Sequence, residues 1–534
     1  MRKKLLTISV ILLSLTINAQ KYEANWESLQ NYTAPEWYED AKLGFWVHWG
    51  VYSVPAFKGN HAAEWYGRWM YSQLGQSSNN SKGLATHLYH NKTYGSPDEF
   101  GYKDFIPMFK AENFNANEWA ELCVRGGAKF FTMMGAHHDS FCMWDTKLSK
   151  WNSVNMGPKK DLVGEIAEAV RKKGLKFGVS NHTAWNYDFF SWNHINRYDA
   201  INKENEDLYG NPIIQKSADT VRYTAKDTKA SWVKKTKRNE NFIRPSKRDM
   251  DRWLERTKEL AGMYSPDLYY FDWGFNPSIW DSRKQAFGAF YYNHAVETGQ
   301  GTFGNPGVVL NYKSNAFKAG TAVKDFERGG MKTIADMVWQ TDDCVYDDHN
   351  WGFVAGTPIK PTNMIVDQLM DIISKRGVLM LSFAPKADGT FPEEQKQMMY
   401  ELGDWLKVCG EAVYKTRPYK VFGEIGSKWE ERNENNNQLY IATKEDIRFT
   451  RNKENNILYA TVLEWPGEII TIKSLADIDA KNIKAIKLLG TGNKLKFKQT
   501  KNGLEIKMPK KPSYNYAYPL RITFKNHMNP KPAK

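Results

Sequence analysis

Between residues 20 and 415, short apolar runs alternate with longer stretches whose apolar residues recur at helical spacing. "LGFWVHWG" (43–50), "GAKFFTMMGAHHD" (127–139), "GLKFGVSNH" (174–182), "DLYYFDWG" (267–274), "GVVLNY" (307–312) and "GVLMLSFAP" (377–385) have the length and aromatic content of buried strands. "NANEWAELCVRGG" (115–127), "DLVGEIAEAVRKKG" (161–174), "DMDRWLERTKELAGMY" (249–264) and "PTNMIVDQLMDIISKRG" (361–377) are amphipathic helices, most of them stopped by glycine. Strand–helix alternation over this length predicts parallel sheet in an α/β fold, and a (β/α)8-like TIM barrel is its commonest large single-domain form. After Tyr414 the period falls to two. "QLYIATK", "DIRFTRNKENNILYATVLEW", "EIITIKS", "AIKLLG", "LEIKMP" and "LRITFKN" are short strands between Asn, Gly, Lys and Pro turns. The expected organisation is a barrel over 20–415 followed by a C-terminal antiparallel β-sandwich over 416–534.

Composition changes this picture at both ends of the barrel. Arg2, Lys3 and Lys4 precede an apolar run from Leu5 to Ile17 and a small-residue site at Ala19, so 1–19 reads as a signal peptide and the chain as secreted or periplasmic. No other run is long and apolar enough to predict a membrane span. Cys123, Cys142, Cys344 and Cys409 are scattered, which fits free buried thiols better than a disulfide framework. The formal net charge is +14, three of it in the leader, and no nucleic-acid motif accompanies it. An anionic polysaccharide is the expected partner, with a merely basic surface as the alternative. The aromatic content of 14%, with 20 Trp, supplies flat surfaces on which sugar C–H faces stack.

Between His182 and Asp249 the connection is far longer than the roughly two to six residues usual for a βα loop. From Arg222 to Arg248 it carries ten Lys/Arg against Asp227 and Glu240, with Tyr223, Trp232 and Phe242 among them. Since it follows a strand's C-terminal end, it is expected to wall the catalytic face of the barrel.

Barrel chemistry is placed at strand C-termini, and polar residues gather there: His48, His137-His138-Asp139, Asn181-His182 and Asp272. Asp272, directly after Leu-Tyr-Tyr-Phe, stands where a buried strand opens into a site. A carboxylate held there can attack an anomeric carbon if a second, protonated carboxyl protects the departing oxygen. Alternatively it caps the next helix. A metal reading of His137 and His138 is disfavoured, because neighbours on an ideal strand point to opposite faces and no HExxH set is present.

At these residues the sequence resembles the α-L-fucosidases of glycoside hydrolase family 29. The resemblance runs in order through "PEWYEDAKLGFWVHWGVYSVPAF" (35–57), "EWY" (64–66), "GAHHDSFCMWDT" (135–146), "SPDLYYFDWG" (265–274), "WQTDDCVYDDHNWGF" (339–353), "ISKRGVLMLSFAPKADGTFPEEQ" (373–395) and "LGDWLKVCGEAVY" (402–414). It implies a barrel followed by a β-sandwich, a retaining double displacement without cofactor or metal, and Asp272 as nucleophile. It also implies fucose binding by His48, Glu64, Trp65, His137 and His138, with Trp351 as an aromatic contact, and Lys313 is assigned to substrate binding with them. Four positions depart from the family pattern: Tyr270 replaces a Trp, Lys313 an Arg, Ser140 the Gly of "HHDGF", and Ser180-Asn181 a tyrosine.

The second carboxylate is assigned to Glu327 of "KDFERGG" (324–330), where some family members carry the acid/base, with Asp342 and Asp343 as alternatives. The expectation is a secreted, exo-acting, retaining α-L-fucosidase that removes terminal fucose from oligo- or polysaccharides, with sulfated fucans (fucoidan) favoured by the basic connection. The competing readings are a neutral-glycan fucosidase and a non-catalytic fucose-binding protein.

Overall fold

The computed structural model describes residues 20–72, 80–216, 241–348, 350–426 and 442–528. The leader at 1–19 and most of the basic connection, 217–240, lie outside the described residues. Eight parallel strands close into a barrel: β1 (Leu43–Val47), β2 (Phe130–Ala136), β3 (Lys176–Asn181), β4 (Leu268–Phe271), β5 (Val309–Lys313), β6 (Val323–Glu327), β7 (Trp339–Cys344) and β8 (Gly377–Phe383). Each strand pairs with its sequence neighbours, and β8 closes on β1 with Phe45 opposite Leu381. The strands β6 and β7 were not among the runs read from the sequence. "VKDFE" is short and polar, and "WQTDDC" carries two adjacent acids, so neither looks like a buried strand until the barrel surrounds it.

The outer helices form where caps and apolar spacing coincide. Asn115 and Asp161 cap Ala116–Arg125 and Leu162–Lys172 through side-chain acceptors. Ser246 and Asp249 make a reciprocal capping box at the start of Lys247–Tyr264. The connections from β5 to β6 (314–322) and from β6 to β7 (328–338) contain no helix, so the alternation is incomplete on that side of the barrel.

Side chains alternate along each strand, and this decides what fills the barrel. In β4, Tyr270 points inward, its ring 4.8 Å from that of Trp46 on β1. Tyr269 and Phe271 face outward onto Phe287 of helix Asp281–Glu297. Trp46 Nε1 donates to Ser180 Oγ at 3.1 Å, and Gln340 Nε2 to Asp325 Oδ1 at 2.7 Å, so the core of the barrel is partly polar and hydrogen-bonded.

Beyond the barrel a five-stranded antiparallel sheet, Arg417–Glu424, Ile447–Arg451, Ile457–Val462, Tyr518–Phe524 and Ile483–Leu488 in spatial order, faces a three-stranded one, Ile469–Ile472, Gly503–Lys507 and Phe497–Thr500. Phe449, Leu458 and Ile522 of the first share one buried cluster with Ile472, Leu504 and Ile506 of the second. This sandwich docks on helix Thr362–Ser374 through Arg448, which donates from Nε to Asp371 Oδ1 at 2.7 Å. All four cysteines are buried and free.

Candidate active site

The inward positions at the carboxyl ends of the strands build one cluster. Moving two residues on from an inward side chain keeps the same face. So Trp46 leads to His48, Ser180 to His182, Tyr270 to Asp272, Asn311 to Lys313, Asp325 to Glu327 and Gln340 to Asp342.

Asp272 is buried at the centre of this ring. Its Oδ2 lies 3.3 Å from His138 Nε2 and 3.3 Å from His182 Nδ1, and its Oδ1 lies 3.1 Å from Lys313 Nζ. Burial alone would raise this carboxyl. Lys313, His182 and the His138 contact outweigh it and hold the group well below the usual carboxylate range. The carboxylate is therefore ionised and available as a nucleophile.

Lys313 Nζ also lies 3.0 Å from Glu327 Oε2 and 3.0 Å from Asp342 Oδ2. Burial would discharge this ammonium, but Asp272, Asp342 and Glu327 together keep its pKa well above the normal lysine value. The three carboxylates differ in access. The Glu327 side chain keeps 40% of its surface exposed at the mouth, whereas Asp342 is fully buried. Asp343 faces away from them, satisfied by Lys360 Nζ at 2.7 Å and Gln368 Nε2 at 2.8 Å.

His48, His137 and His182 complete the floor of the site. His48 Nδ1 is 2.8 Å from Ser382 Oγ on β8. Burial, with the neighbouring imidazoles, drives His48 and His137 well below the ordinary histidine value, and His182 shifts the same way. Neutral imidazoles can donate to or accept from sugar hydroxyls. Their ligating nitrogens lie within 4.8 Å of one another, so the same trio could hold a divalent cation, as could His138, His182 and Asp272. His137 and His138 follow a register shift near the end of β2, beyond its last residue, and both turn into the site with ring centroids 4.7 Å apart. The alternation expected of an ideal strand does not apply to them.

Glu64, also buried, accepts from the backbone N–H groups of Trp351 and Gly352 at 3.1 and 3.0 Å through Oε2. Its Oε1 has no partner, and burial pushes the carboxyl up to about 7. Trp351 packs 4.8 Å from His48, with the Arg328 guanidinium 4.7 Å from its ring. On the opposite wall stand Trp65, Trp185 and Trp273, with centroid separations of 5.3, 4.7 and 5.9 Å. Gly274, at φ +110°, lets Trp185 come close, since a Cβ there would sit 2.7 Å from Trp185 Cβ.

All nine residues singled out from the sequence, Asp272, Glu327, His48, Glu64, Trp65, His137, His138, Lys313 and Trp351, thus line or brace this one site. Tyr270, Trp185 and Trp273 were not assigned to the site by sequence reading, and His182, counted among the polar strand ends, was given no role there. The clue for His182 was its position two residues beyond an inward strand residue, the same relation that marks Asp272.

The α-L-fucosidase family model matches residues 10–411, and the α-L-fucosidase C-terminal domain model matches 442–523. The chain is 26% identical to the α-L-fucosidase of Dictyostelium discoideum, over 97% of this chain and 99% of that one. It is 27% identical to the plasma α-L-fucosidase of Homo sapiens, over 92% and 89%. The crystal structure of Thermotoga maritima α-fucosidase superposes with a TM-score of 0.70 at 28% identity, covering 94% of this chain and all of the other. A matching barrel and appended sandwich and end-to-end similarity to these enzymes together show that the chain belongs to the α-L-fucosidases of glycoside hydrolase family 29, and so is a glycoside hydrolase.

Proposed function

We propose that the protein is a secreted, exo-acting, retaining α-L-fucosidase in which Asp272 is the nucleophile and Glu327 the acid/base. The observation that carries this reading is the shared counter-ion: Asp272 Oδ1 and Glu327 Oε2 flank Lys313 Nζ at 3.1 and 3.0 Å. Their oxygens are therefore no farther apart than these two contacts laid end to end, a range that includes the roughly 5–5.5 Å of a retaining pair. Asp272 attacks C1 of a terminal fucose while Glu327 protonates the departing oxygen. A water that gives its proton to Glu327 then cleaves the fucosyl ester and restores both carboxyl groups. The exposure of Glu327 at the mouth favours it over Asp342 and Asp343 as the group that meets the leaving oxygen.

In this reading Glu64 Oε1 and the neutral His48 and His137 pair with sugar hydroxyls, while Trp65 and Trp351 cover apolar faces. Burying the C5 methyl contributes only about 0.8 kcal/mol, so discrimination rests on the hydroxyl pairs. Export is inferred from the leader-like composition of 1–19, and a sulfated fucan substrate from the net charge of +14 and the basic 222–248 segment.

Hydrolysis of an aryl α-L-fucoside, with the first-formed anomer followed by NMR, tests the mechanism. The α anomer is expected first, and release of the β anomer overturns the retaining assignment. Asp272→Ala abolishes turnover of every substrate. Glu327→Ala suppresses natural linkages far more than the aryl fucoside, whose leaving group needs little protonation. Equal rates on sulfated and desulfated fucan oligosaccharides, insensitive to salt, refute the anionic-substrate reading.

A further inference from the structure

The floor beneath Lys313 holds two acids that the reaction as written does not use. Tyr270 OH donates to Asp342 Oδ2 at 3.0 Å and lies 3.5 Å from Asp325 Oδ2. Asp325 Oδ1 accepts from Gln340 Nε2 at 2.7 Å, and Gln340 Oε1 accepts from Tyr38 OH at 2.6 Å. Both acids are buried, and like charges this close do not both ionise. Burial and the Asp342 charge push Asp325 well up; burial raises Asp342 too, but Lys313 opposes it there. The acid raised further, Asp325, takes the pair's proton, which leaves Asp342 as the anion in contact with Lys313.

The double displacement moves negative charge. When Asp272 becomes an ester it loses its charge, and when Glu327 gives up its proton it gains one. The second step reverses both. A single ammonium stands between them, and lysine is a point charge on a flexible stem that can follow whichever partner is ionised. We propose that Asp342 is a positioning residue that anchors Lys313 midway between Asp272 and Glu327, so that one ammonium neutralises the two carboxylates in turn. This rests on the roles given above to Asp272 and Glu327. Asp342 Oδ2 holds Nζ at 3.0 Å from the barrel floor, a third contact that neither of the reacting carboxylates can supply. Lys313 comes from β5, Tyr270 from β4, and Asp325 and Glu327 from β6. On the remaining side Asp342 is in register with the uncharged Met380 of β8.

The test is the pH profile of kcat/KM on a fucosyl disaccharide, whose sugar leaving group needs protonation, for the wild type, Asp342→Asn, Tyr270→Phe and Glu327→Gln. Asp342→Asn keeps the shape and removes one negative charge near Lys313 and Glu327, which favours ionised Glu327. Its basic limb is expected about one pH unit lower, with kcat down roughly ten-fold and KM within about three-fold. Tyr270→Phe, which removes a hydrogen bond and no charge, shifts the limb the same way by less, and it carries the test if Asp342→Asn does not fold. An unmoved basic limb in a folded variant overturns the role of Asp342. Glu327→Gln tests the underlying reading separately. If it keeps both the limb and natural-substrate turnover, Glu327 is not the acid and the hand-over of charge fails with it. If it loses the limb while Asp342→Asn leaves it in place, only the anchor is refuted.

Discussion

His182 Nδ1 faces Asp272 Oδ2 at 3.3 Å, a contact made just beyond the paired ends of β3 and β4. Burial lowers the pKa of this imidazole, so the compensating positive charge beside Asp272 comes from Lys313 on the other carboxylate oxygen. The carboxylate is thus held from two sides by groups of different kinds, one fixing direction and the other charge.

Removing either group separates these functions. In the proposed mechanism Asp272 must be ionised to attack, and its depressed pKa keeps it so at low pH. Lys313→Met raises that pKa, so the acid limb of kcat/KM moves to higher pH by a unit or more, on the order of 1.4 kcal/mol per unit. His182→Ala is expected to lower kcat roughly ten-fold with a smaller movement of the same limb. Stopped assays from about pH 4 to 8 distinguish the two. An acid limb in Lys313→Met that coincides with the wild type contradicts the charge argument.

Ser140 occupies a left-handed conformation at φ +65°, where family members commonly have glycine, and its Oγ accepts from the buried Arg256 Nη1 at 2.7 Å. Ser140→Gly relieves about 1 kcal/mol of backbone strain but forfeits a hydrogen bond to a charged donor, about 1.5–3 kcal/mol. Ser140→Ala keeps the strain and loses the bond. The expected order of denaturant midpoints is wild type, then Ser140→Gly, then Ser140→Ala. A Gly variant more stable than the wild type would show that the hydroxyl contributes little.

Arg448 joins the sandwich to the barrel by pairing with Asp371, which also meets Lys375 Nζ at 2.9 Å. Burial would raise Asp371, yet Lys375 and Arg448 hold it below its usual value. Arg448→Met leaves a buried carboxylate partly uncompensated and is expected to cost about 3–5 kcal/mol near neutral pH. A depressed carboxyl stabilises above its unfolded pKa, about 3.9, and that stability is lost as pH falls through the folded value. The gap between wild type and Arg448→Met in chemical denaturation should therefore narrow on acidification. A gap that is constant with pH assigns the loss to packing instead.

The trio of His48, His137 and His182 predicts inhibition by zinc. Imidazoles whose pKa burial pushes down, His48 and His137 farthest, stay ligands to lower pH than ordinary histidines do. Zinc is expected to compete with the aryl fucoside, to keep inhibiting on mild acidification, and to be reversed by chelator. Inhibition that vanishes on mild acidification, or that is non-competitive, removes this trio as the binding point.

How much was legible in the chain differs by residue. Asp272 and the histidines at 48, 137 and 138 could be read because each ends or follows a long apolar run, and a buried strand announces itself by composition. Trp65, Glu64 and Trp351 came from resemblance alone, since nothing in their local spacing marks a site. Asp342 and Asp343 were indistinguishable as neighbours in "QTDD". One residue of offset sends Asp342 into the barrel beneath Lys313 and Asp343 outward to Lys360 and Gln368. The strands that carry Glu327 and Asp342 are too short and polar to be read as strands from composition.

The sequence by itself determined the alternation of strands and helices, the change of period after Tyr414 and the acid at the end of β4, because these follow from local burial and side-chain spacing. Tertiary structure decided which charges meet. Closing the barrel brings Lys313, Asp272, Glu327 and Asp342 from four strands to one point, and leaves Asp325 with Asp342 under one tyrosine. Electrostatic energy depends on distances of a few ångströms between residues far apart in the chain, which no local pattern encodes.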